Sequence, residues 1–139
     1  MNITIDSNIL FSALIKESIT RKIILNYPNK FLFPEFVFQE FLKYKDLILK
    51  KSKLSPKEFY FLLNHLLKKV KIIRNVDISM YKEESLKILK NIDLKDAPFI
   101  ATCLRYNSIL WSDDKALKNQ NKIIILNTKE FIEFIKNQC

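Results

Sequence analysis

Aspartate is the residue type in this chain whose placement most directly suggests chemistry. Five of the seven aspartates stand where a strand is predicted to end or a helix to begin: Asp6, Asp93, Asp96, Asp113 and Asp114. The carboxyl ends of parallel strands meet at one edge of a sheet, where α/β folds place their sites. Carboxylates crowded there repel one another, so at least one takes up a proton unless a cation compensates. Oxygen ligands without accompanying His or Cys favour Mg²⁺ or Mn²⁺ over zinc.

Each of these aspartates also has a structural explanation when it is taken alone. Asp6 and Asp96 are suited to cap the helices that follow them, and Asp113 and Asp114 are suited to a turn after a strand. Asp93 lies three residues before Asp96 and is expected to cap a helix, with a water-mediated contact to a metal as the alternative. The functional interpretation therefore depends on the whole set.

Strands and helices alternate along the chain, and this alternation positions the acids. Short apolar runs predict strands at residues 2–6, 31–33, 70–73, 109–111 and 123–126. Apolar residues at helical spacing predict helices between them, including one over residues 79–89. The order predicts an α/β fold with a mainly parallel central sheet of four to five strands, covered by helices on both sides. One domain spanning residues 1–139 accounts for the length.

Capping residues mark where several helices begin. Ser55-Pro56-Lys57-Glu58 has the pattern of a capping box with proline in the first turn. Ser18 and Thr128 are predicted to cap two other helices, and Pro34 is predicted to lie in the first turn of a third. These signals divide the chain into the segments that carry the acids.

Composition narrows the possible functions. The formal net charge of +9 suits a polyanionic partner such as RNA, although a lysine-rich composition without any binding role explains it equally well. The chain contains no glycine. Walker-type phosphate loops, dinucleotide fingerprints and nucleophile elbows need glycine, so these classes are excluded.

The cellular environment is predicted from what the sequence lacks. The apolar runs are too short to cross a membrane, and the N-terminus has no signal-peptide pattern. Cys103 and Cys139 are the only cysteines and cannot form a disulfide framework. We therefore expect a cytoplasmic protein without a membrane partner.

Four segments, in this order along the chain, resemble the motifs of the PIN-domain ribonuclease family. They are Ile5-Asp6-Ser7-Asn8-Ile9-Leu10, Pro34-Glu35-Phe36-Val37-Phe38-Gln39-Glu40-Phe41, Asp96-Ala97-Pro98-Phe99-Ile100-Ala101 and Trp111-Ser112-Asp113-Asp114-Lys115-Ala116-Leu117. Each motif is weak alone, but four in order at plausible spacing are specific. The resemblance covers residues 2 to about 135 and implies a PIN-like three-layer α/β/α sandwich.

The resemblance also implies a site and an activity. Asp6, Glu40, Asp96 and Asp114 would be the four catalytic acids and metal ligands, with Asn8 and Ser112 orienting them. Asp113 stands where the family more often has Asn, so either Asp113 or Asp114 could face the metal; Asp114 fits the pattern better. Asp93 is a further candidate ligand.

The implied activity is that of an endoribonuclease dependent on Mg²⁺ or Mn²⁺. Many family members are the toxin half of a toxin–antitoxin pair, so a small antitoxin protein is a candidate partner. A homodimer is also implied, with exposed aromatics among Phe59, Tyr60 and Phe61 as candidate contacts.

The same residues bear on three alternative functions. A receiver domain needs an acidic pair after the first strand, and a haloacid-dehalogenase-type phosphatase needs Asp-x-Asp there, where this chain has Asn8. A catalytically inactive PIN-fold module that binds RNA or protein is the remaining alternative, but all four expected acids are present. The ribonuclease is therefore the favoured function.

Other notable residues are expected to be structural. His65 is predicted to be non-catalytic, Trp111 to lie in the core, and Cys103 to be a buried small hydrophobe. A group of lysines could form a phosphate track or simply a solvated helix face, and the sequence leaves both open: Lys43, Lys45, Lys50, Lys51 and Lys53.

Overall fold

A five-stranded parallel sheet forms the centre of the computed structural model, which describes residues 1–138. Cys139, which is expected from the sequence not to take part in a disulfide framework, lies outside the described residues. The strands stand in the order β3-β2-β1-β4-β5, and every pair is parallel. They are β1 (Ile3–Ile5), β2 (Phe31–Pro34), β3 (Val70–Ile73), β4 (Ile109–Trp111) and β5 (Ile125–Leu126). The predicted parallel α/β sheet is confirmed.

Helices lie on both faces of this sheet. They are α1 (Ser7–Ile15), α2 (Ile19–Asn26), α3 (Glu35–Lys43), α4 (Lys45–Ser52), α5 (Pro56–Leu67), α6 (Asn75–Ile78), α7 (Lys82–Ile88), α8 (Ala97–Tyr106) and α9 (Thr128–Lys136). Helices α1, α2, α4 and α5 pack together, whereas α6 and α7 pack on α8, which lies along β1, β2 and β4. The three-layer α/β/α sandwich is therefore confirmed.

The sequence of the central strands explains their position. Every residue of β1, β2 and β4 is buried. Continuous apolar runs of this kind are expected where helices cover both faces of a parallel sheet. At the sheet edge, β3 exposes Lys71, a charged residue of the kind that keeps edge strands from pairing with other chains.

An aromatic cluster holds the end of β4 in place. Trp111 is fully buried, as predicted, and its ring stacks on Phe131 of α9 with 4.5 Å between centroids. Phe31 of β2 contacts both rings, and Tyr27 contacts Phe31 and Phe131. This packing fixes the point at which the chain leaves β4 for Ser112.

Two predicted helix starts are confirmed, and two are corrected. Ser55 and Glu58 form the capping box, and Ser18 accepts from the backbone of Arg21. Thr128 does not cap the last helix: Asn127 does, because Glu130 lies three residues after it and closes a capping box. Pro34 ends β2 at the N-cap position of α3 rather than lying inside the first turn.

Two further boundaries differ from prediction. The helix predicted from residue 79 is split, with a 3-10 turn at Ser79–Tyr81 before α7. The last strand covers only Ile125–Leu126, without Ile123 and Ile124. Phe59 is buried, so among the proposed dimer-contact aromatics only Tyr60 and Phe61 are exposed.

No helix within residues 1–138 combines the length and the apolar character that crossing a bilayer requires.

Candidate active site

The order of the strands determines where a site can form. From β1 the chain proceeds to β2 and β3 on one side of the sheet, and later returns to β4 and β5 on the other. Such a reversal leaves a crevice beyond the carboxyl ends of the two central strands, and α/β folds bind their ligands there. In this sheet the two strands are β1, which is followed by Asp6, and β4, which is followed by Ser112.

Asp6 is held in this crevice by both strands. Its backbone N–H donates to the carbonyl of Trp111 at 3.3 Å, which continues the pairing of β1 with β4. Its side chain is 7% exposed; Oδ1 accepts from the N–H of Ile9 at 3.0 Å, and Oδ2 accepts from the hydroxyl of Ser112. Each carboxylate oxygen has two lone pairs, so these bonds leave acceptor capacity for a cation.

The pKa of Asp6 reflects two opposing influences. Burial, and to a smaller extent the charges of Asp113 and Asp114, raise the pKa of Asp6. The hydrogen bonds from Ser112 and Ile9 lower it. The net direction is upward. Asp6 is thus a carboxylate whose negative charge is poorly solvated and would be favoured by a nearby cation.

Asp96 is at the N-cap position of α8 but does not cap it. Its side chain makes no capping hydrogen bond with the helix, unlike the side chain of Asp6 with α1. The pKa of Asp96 is raised from 3.8 to about 6, first by burial and then by the charges of Asp93, Asp114 and Asp6. Asp6, Asp96 and Asp114, which are far apart in sequence, therefore lie within electrostatic range of one another.

Adjacent aspartates after β4 have different partners. Asp113 accepts from the N–H of Thr128 at 2.7 Å with Oδ1 and from its hydroxyl at 2.9 Å with Oδ2, so both oxygens are engaged by the start of α9. Asp114 uses Oδ1 to accept from Ala116 at 3.0 Å, and its backbone N–H donates to the hydroxyl of Ser112 at 3.1 Å. Ser112 thus links Asp6 to Asp114.

Asp93 has a structural partner of its own. Its Oδ1 accepts from the N–H of Lys95 at 3.0 Å, at the start of the 3-10 turn Leu94–Asp96. Asp93 is therefore a cap, as expected from the sequence, but it caps this 3-10 turn and not α8 itself. Asp93 acts on the site through its charge, which contributes to the raised pKa of Asp96.

Glu40 lies apart from the three aspartates. It is exposed on α3 and lines a pocket together with Ser7 and Asn8, the two residues that follow Asp6. Its charge is not among those that shift the pKa of Asp6 or Asp96. The structure therefore brings together Asp6, Asp96, Asp114 and Ser112, and places Glu40 and Asn8 beside this group.

The chemistry of these residues fits a hard divalent cation. No three His, Cys, Asp or Glu side chains among residues 1–138 already lie close enough to hold a metal together. Mg²⁺ does not require such a cage, because it keeps several waters and is commonly bound by one or two carboxylates and substrate phosphates. Asp6 is buried and Asp96 is partly buried, and neighbouring carboxylates raise the pKa of each, so a cation would stabilise the ionised form of both.

One contributor to this edge was not predicted from the sequence. Thr128 accepts from the indole N–H of Trp111 at 3.1 Å and donates its own hydroxyl to Asp113, so it ties the aromatic core to the acidic loop. The sequence Asn127-Thr128-Lys129-Glu130 indicates this role, because Asn127 and Glu130 have the spacing of a capping box. That assignment leaves the Thr128 side chain available for another partner.

Cys103 and His65, which are expected from the sequence to be structural, have no contact with the acidic residues in the bonds described for residues 1–138. Burial raises the pKa of the Cys103 thiol to about 12, as expected of an inert cysteine. His65 bonds through Nδ1 to the carbonyl of Phe61 in its own helix. Of the lysine group, Lys51 lines the pocket that contains Glu40.

The chain is similar to known proteins in its family and in its fold. A model of the PIN domain matches residues 4–132. No curated protein sequence matches significantly. The crystal structure of PAE2754 from Pyrobaculum aerophilum is similar in fold, with a TM-score of 0.68 at 12% identity, over 99% of this chain and 90% of that one. The family model spans nearly the whole chain, including Asp6, Glu40, Asp96 and Asp114, and the chain therefore belongs to the PIN-domain family, whose fold is of the nuclease type.

Proposed function

We propose that this protein is a metal-dependent endoribonuclease that hydrolyses phosphodiester bonds of RNA. The observation that carries the proposal is the electrostatic coupling of Asp6, Asp96 and Asp114 at the carboxyl ends of β1 and β4. Isolated caps or turn residues would have no reason to converge in this way. Membership of the PIN-domain family supports a nuclease.

Asp6, Asp96 and Asp114 would hold Mg²⁺ or Mn²⁺, with Glu40 as the fourth acid. When bound, such an ion lowers the pKa of a coordinated water and offsets the charge that develops at phosphorus. Asp113 and Asp93 contribute negative charge at the rim, since each already has a backbone partner. The products would carry 5′-phosphate and 3′-hydroxyl ends.

Ser112 orients the central acid. By donating to Oδ2 of Asp6 it fixes the carboxylate and lowers its pKa, which favours the ionised form that binds a cation. The same hydroxyl accepts from the backbone N–H of Asp114, and this bond aligns the two acids with each other. Asn8 follows on α1 and would serve the same purpose from the pocket side.

Lysines supply the complementary charge for the substrate. The chain has a net charge of +9 although its site is acidic, so basic residues elsewhere would attract the RNA backbone while the acids retain the metal. Single-stranded or loop RNA is the expected substrate because its phosphates and bases are accessible. An antitoxin partner and a homodimer through Tyr60 and Phe61 stay predictions of the family resemblance.

The test is cleavage of a mixed-sequence, partly single-stranded RNA with Mg²⁺ or Mn²⁺, with EDTA as control. Asp6→Asn should abolish cutting, whereas the matched variant Asp77→Asn should retain it, because Asp77 pairs with Arg74 on α6 outside the site. A folded wild-type protein that neither cuts nor binds metal by calorimetry would refute the ribonuclease and support an inactive RNA- or protein-binding module.

A further inference from the structure

A pocket of about 330 Å³ lies between α1, α3 and α4. Its walls are largely apolar and include Phe11, Phe41, Tyr44, Leu47 and Ile48. This volume is at the lower end of the range for small-molecule sites. The pocket therefore suits a single ring system better than a folded protein segment.

The pocket adjoins the acidic crevice. Ser7 and Asn8, which line it, are the first two residues after Asp6, and Glu40 lines it from α3. These three side chains place hydrogen-bonding groups beside an aromatic wall. A planar ligand with polar edges would satisfy both kinds of surface, as a nucleobase does.

Tyr44 presents an aromatic ring to solvent on a fixed backbone. Its side chain is 60% exposed, and that of Leu47, one turn later, is 48% exposed. Its backbone is nonetheless tied at both ends, since its N–H donates to Phe41 at 3.1 Å and its carbonyl accepts from Ile48 at 3.0 Å. Because the backbone is held, only the side-chain torsions of Tyr44 have to be ordered when a ligand stacks on its ring.

Basic groups accompany the aromatic ones. The ammonium of Lys51 lies 5.5 Å from the centroid of the Phe11 ring, and both residues line the pocket. Lys43, Lys45 and Lys50 are carried by the same two helices, α3 and α4. Aromatic rings for stacking next to cations for phosphate are the features by which proteins bind single-stranded nucleic acid.

We propose that this pocket binds one unpaired nucleobase of the RNA next to the bond that is cut. The base stacks against Tyr44 and Phe11, Asn8 contacts its polar edge, and Lys51 binds a neighbouring phosphate. This inference rests on the proposed function for its choice of RNA. It adds a binding site that positions the strand over the carboxylates and sets a preference at one nucleotide.

Binding can be measured without cleavage. Short single-stranded RNAs carrying the fluorescent base 2-aminopurine at successive positions are titrated with protein in EDTA. We expect a fluorescence change at one or two adjacent positions only. Tyr44→Ala should weaken binding about tenfold, since stacking of one base is lost, whereas Tyr44→Phe should stay within about twofold.

The matched control is Phe36→Ala. Phe36 is also an exposed aromatic residue of α3, with 52% of its surface exposed, but it lies outside the pocket. Its variant should bind like wild type. Circular dichroism checks that each variant is folded, which the exposure of both rings favours. Equal fluorescence changes at all positions, or a folded Tyr44→Ala protein that binds like wild type, would overturn the proposal.

Cleavage assays separate this inference from the proposed function. With Mg²⁺ or Mn²⁺, Tyr44→Ala should raise KM about tenfold and change kcat little. Wild-type protein that binds the probe at one position but never cuts would refute the ribonuclease and leave the base pocket supported. Wild-type protein that cuts, with Tyr44→Ala unchanged in KM and fluorescence, would refute the pocket alone.

Discussion

Asp96 should destabilise the metal-free protein at neutral pH. Its pKa of about 6, against an ordinary 3.8, means that ionisation costs more in the folded chain than in the unfolded one. The stability that the neutral carboxyl provides is fully present below pH 3.8 and is lost as the pH rises through about 6. Asparagine resembles the neutral form, so Asp96→Asn should retain that stability at every pH.

The expected magnitude follows from the size of the shift. A shift of about two pKa units corresponds to about 3 kcal/mol. Asp96 is only partly buried, and solvent screening reduces this figure, so we expect Asp96→Asn to stabilise the protein by roughly 1–2 kcal/mol at pH 7.5. Near pH 4 the substitution should change the free energy of unfolding by less than about 0.5 kcal/mol.

The assay is urea unfolding in EDTA, followed by fluorescence. Trp111 is the only tryptophan and is fully buried, so its emission reports loss of the core directly. Wild type and variant are compared at pH 4 and pH 7.5, which cancels the general effect of pH on a basic protein. Asp46→Asn, which removes an exposed aspartate on α4, is the matched control and should show less than about 0.5 kcal/mol at either pH.

Either of two results would refute this reasoning. One is an Asp96→Asn variant that is less stable than wild type at pH 7.5, which would mean that the carboxylate stabilises the fold as an ordinary cap does. The other is an equal effect at both pH values, which would mean that Asp96 does not titrate between them. In both cases the electrostatic coupling on which the proposed site depends would be absent.

Three further predictions concern the same edge. Mg²⁺ at 100 times its Kd should raise the free energy of unfolding by about 2.7 kcal/mol at pH 7.5, measured by the same urea titration, and Asp6→Asn should lose this gain; an equal gain in the variant would place the metal elsewhere. Ser112→Ala should raise the pKa of Asp6 and lower metal affinity by about 10–100-fold in calorimetry while the protein stays folded; unchanged affinity would remove Ser112 from the site. Asp113→Ala should cost about 0.5–1.5 kcal/mol of stability, because both hydrogen bonds to Thr128 are lost, and should leave metal binding nearly intact. Asp114→Asn should weaken metal binding and change stability little; the opposite pattern in the paired unfolding and calorimetry measurements would exchange their roles.

Positions next to strand ends were predictable from the sequence, because the strands themselves were. Asp6 directly follows the buried run of β1, and Ser112 directly follows that of β4, so the parallel sheet brings them together whatever the helices do. Membership of the PIN-domain family was predicted from four short motifs. The sandwich fold was predicted from this resemblance and from the alternation of strands and helices. The Thr128 error was a slip of one residue between two neighbouring residues that are both able to cap a helix.

Residues inside helices were harder to place. Glu40 lies five residues after Glu35, the first residue of α3, and each helical residue turns by about 100°, so a small error in the start or tilt of the helix changes which way it faces. The pocket of Phe11, Tyr44 and Lys51 depends on how α1 packs against α3 and α4, which lie about 20 residues or more further along the chain. No local pattern encodes that packing. The sequence could show that Glu40 was present, but not that it would stand beside an aromatic pocket.

Asp113 and Asp114 show why the three-dimensional structure is needed to distinguish an aspartate that anchors a loop from one at the proposed metal site. Side chains of successive residues in an extended segment point in opposite directions, so two adjacent aspartates after a strand cannot face the same way. In this protein Asp113 turns to the start of α9 and secures Thr128, while the backbone of Asp114 meets Ser112 and its charge acts on Asp6 and Asp96. Asp113 thus anchors the loop on the aromatic core while its charge, like that of Asp114, also raises the pKa of Asp6, so the partners of the two side chains rather than their charges distinguish their roles.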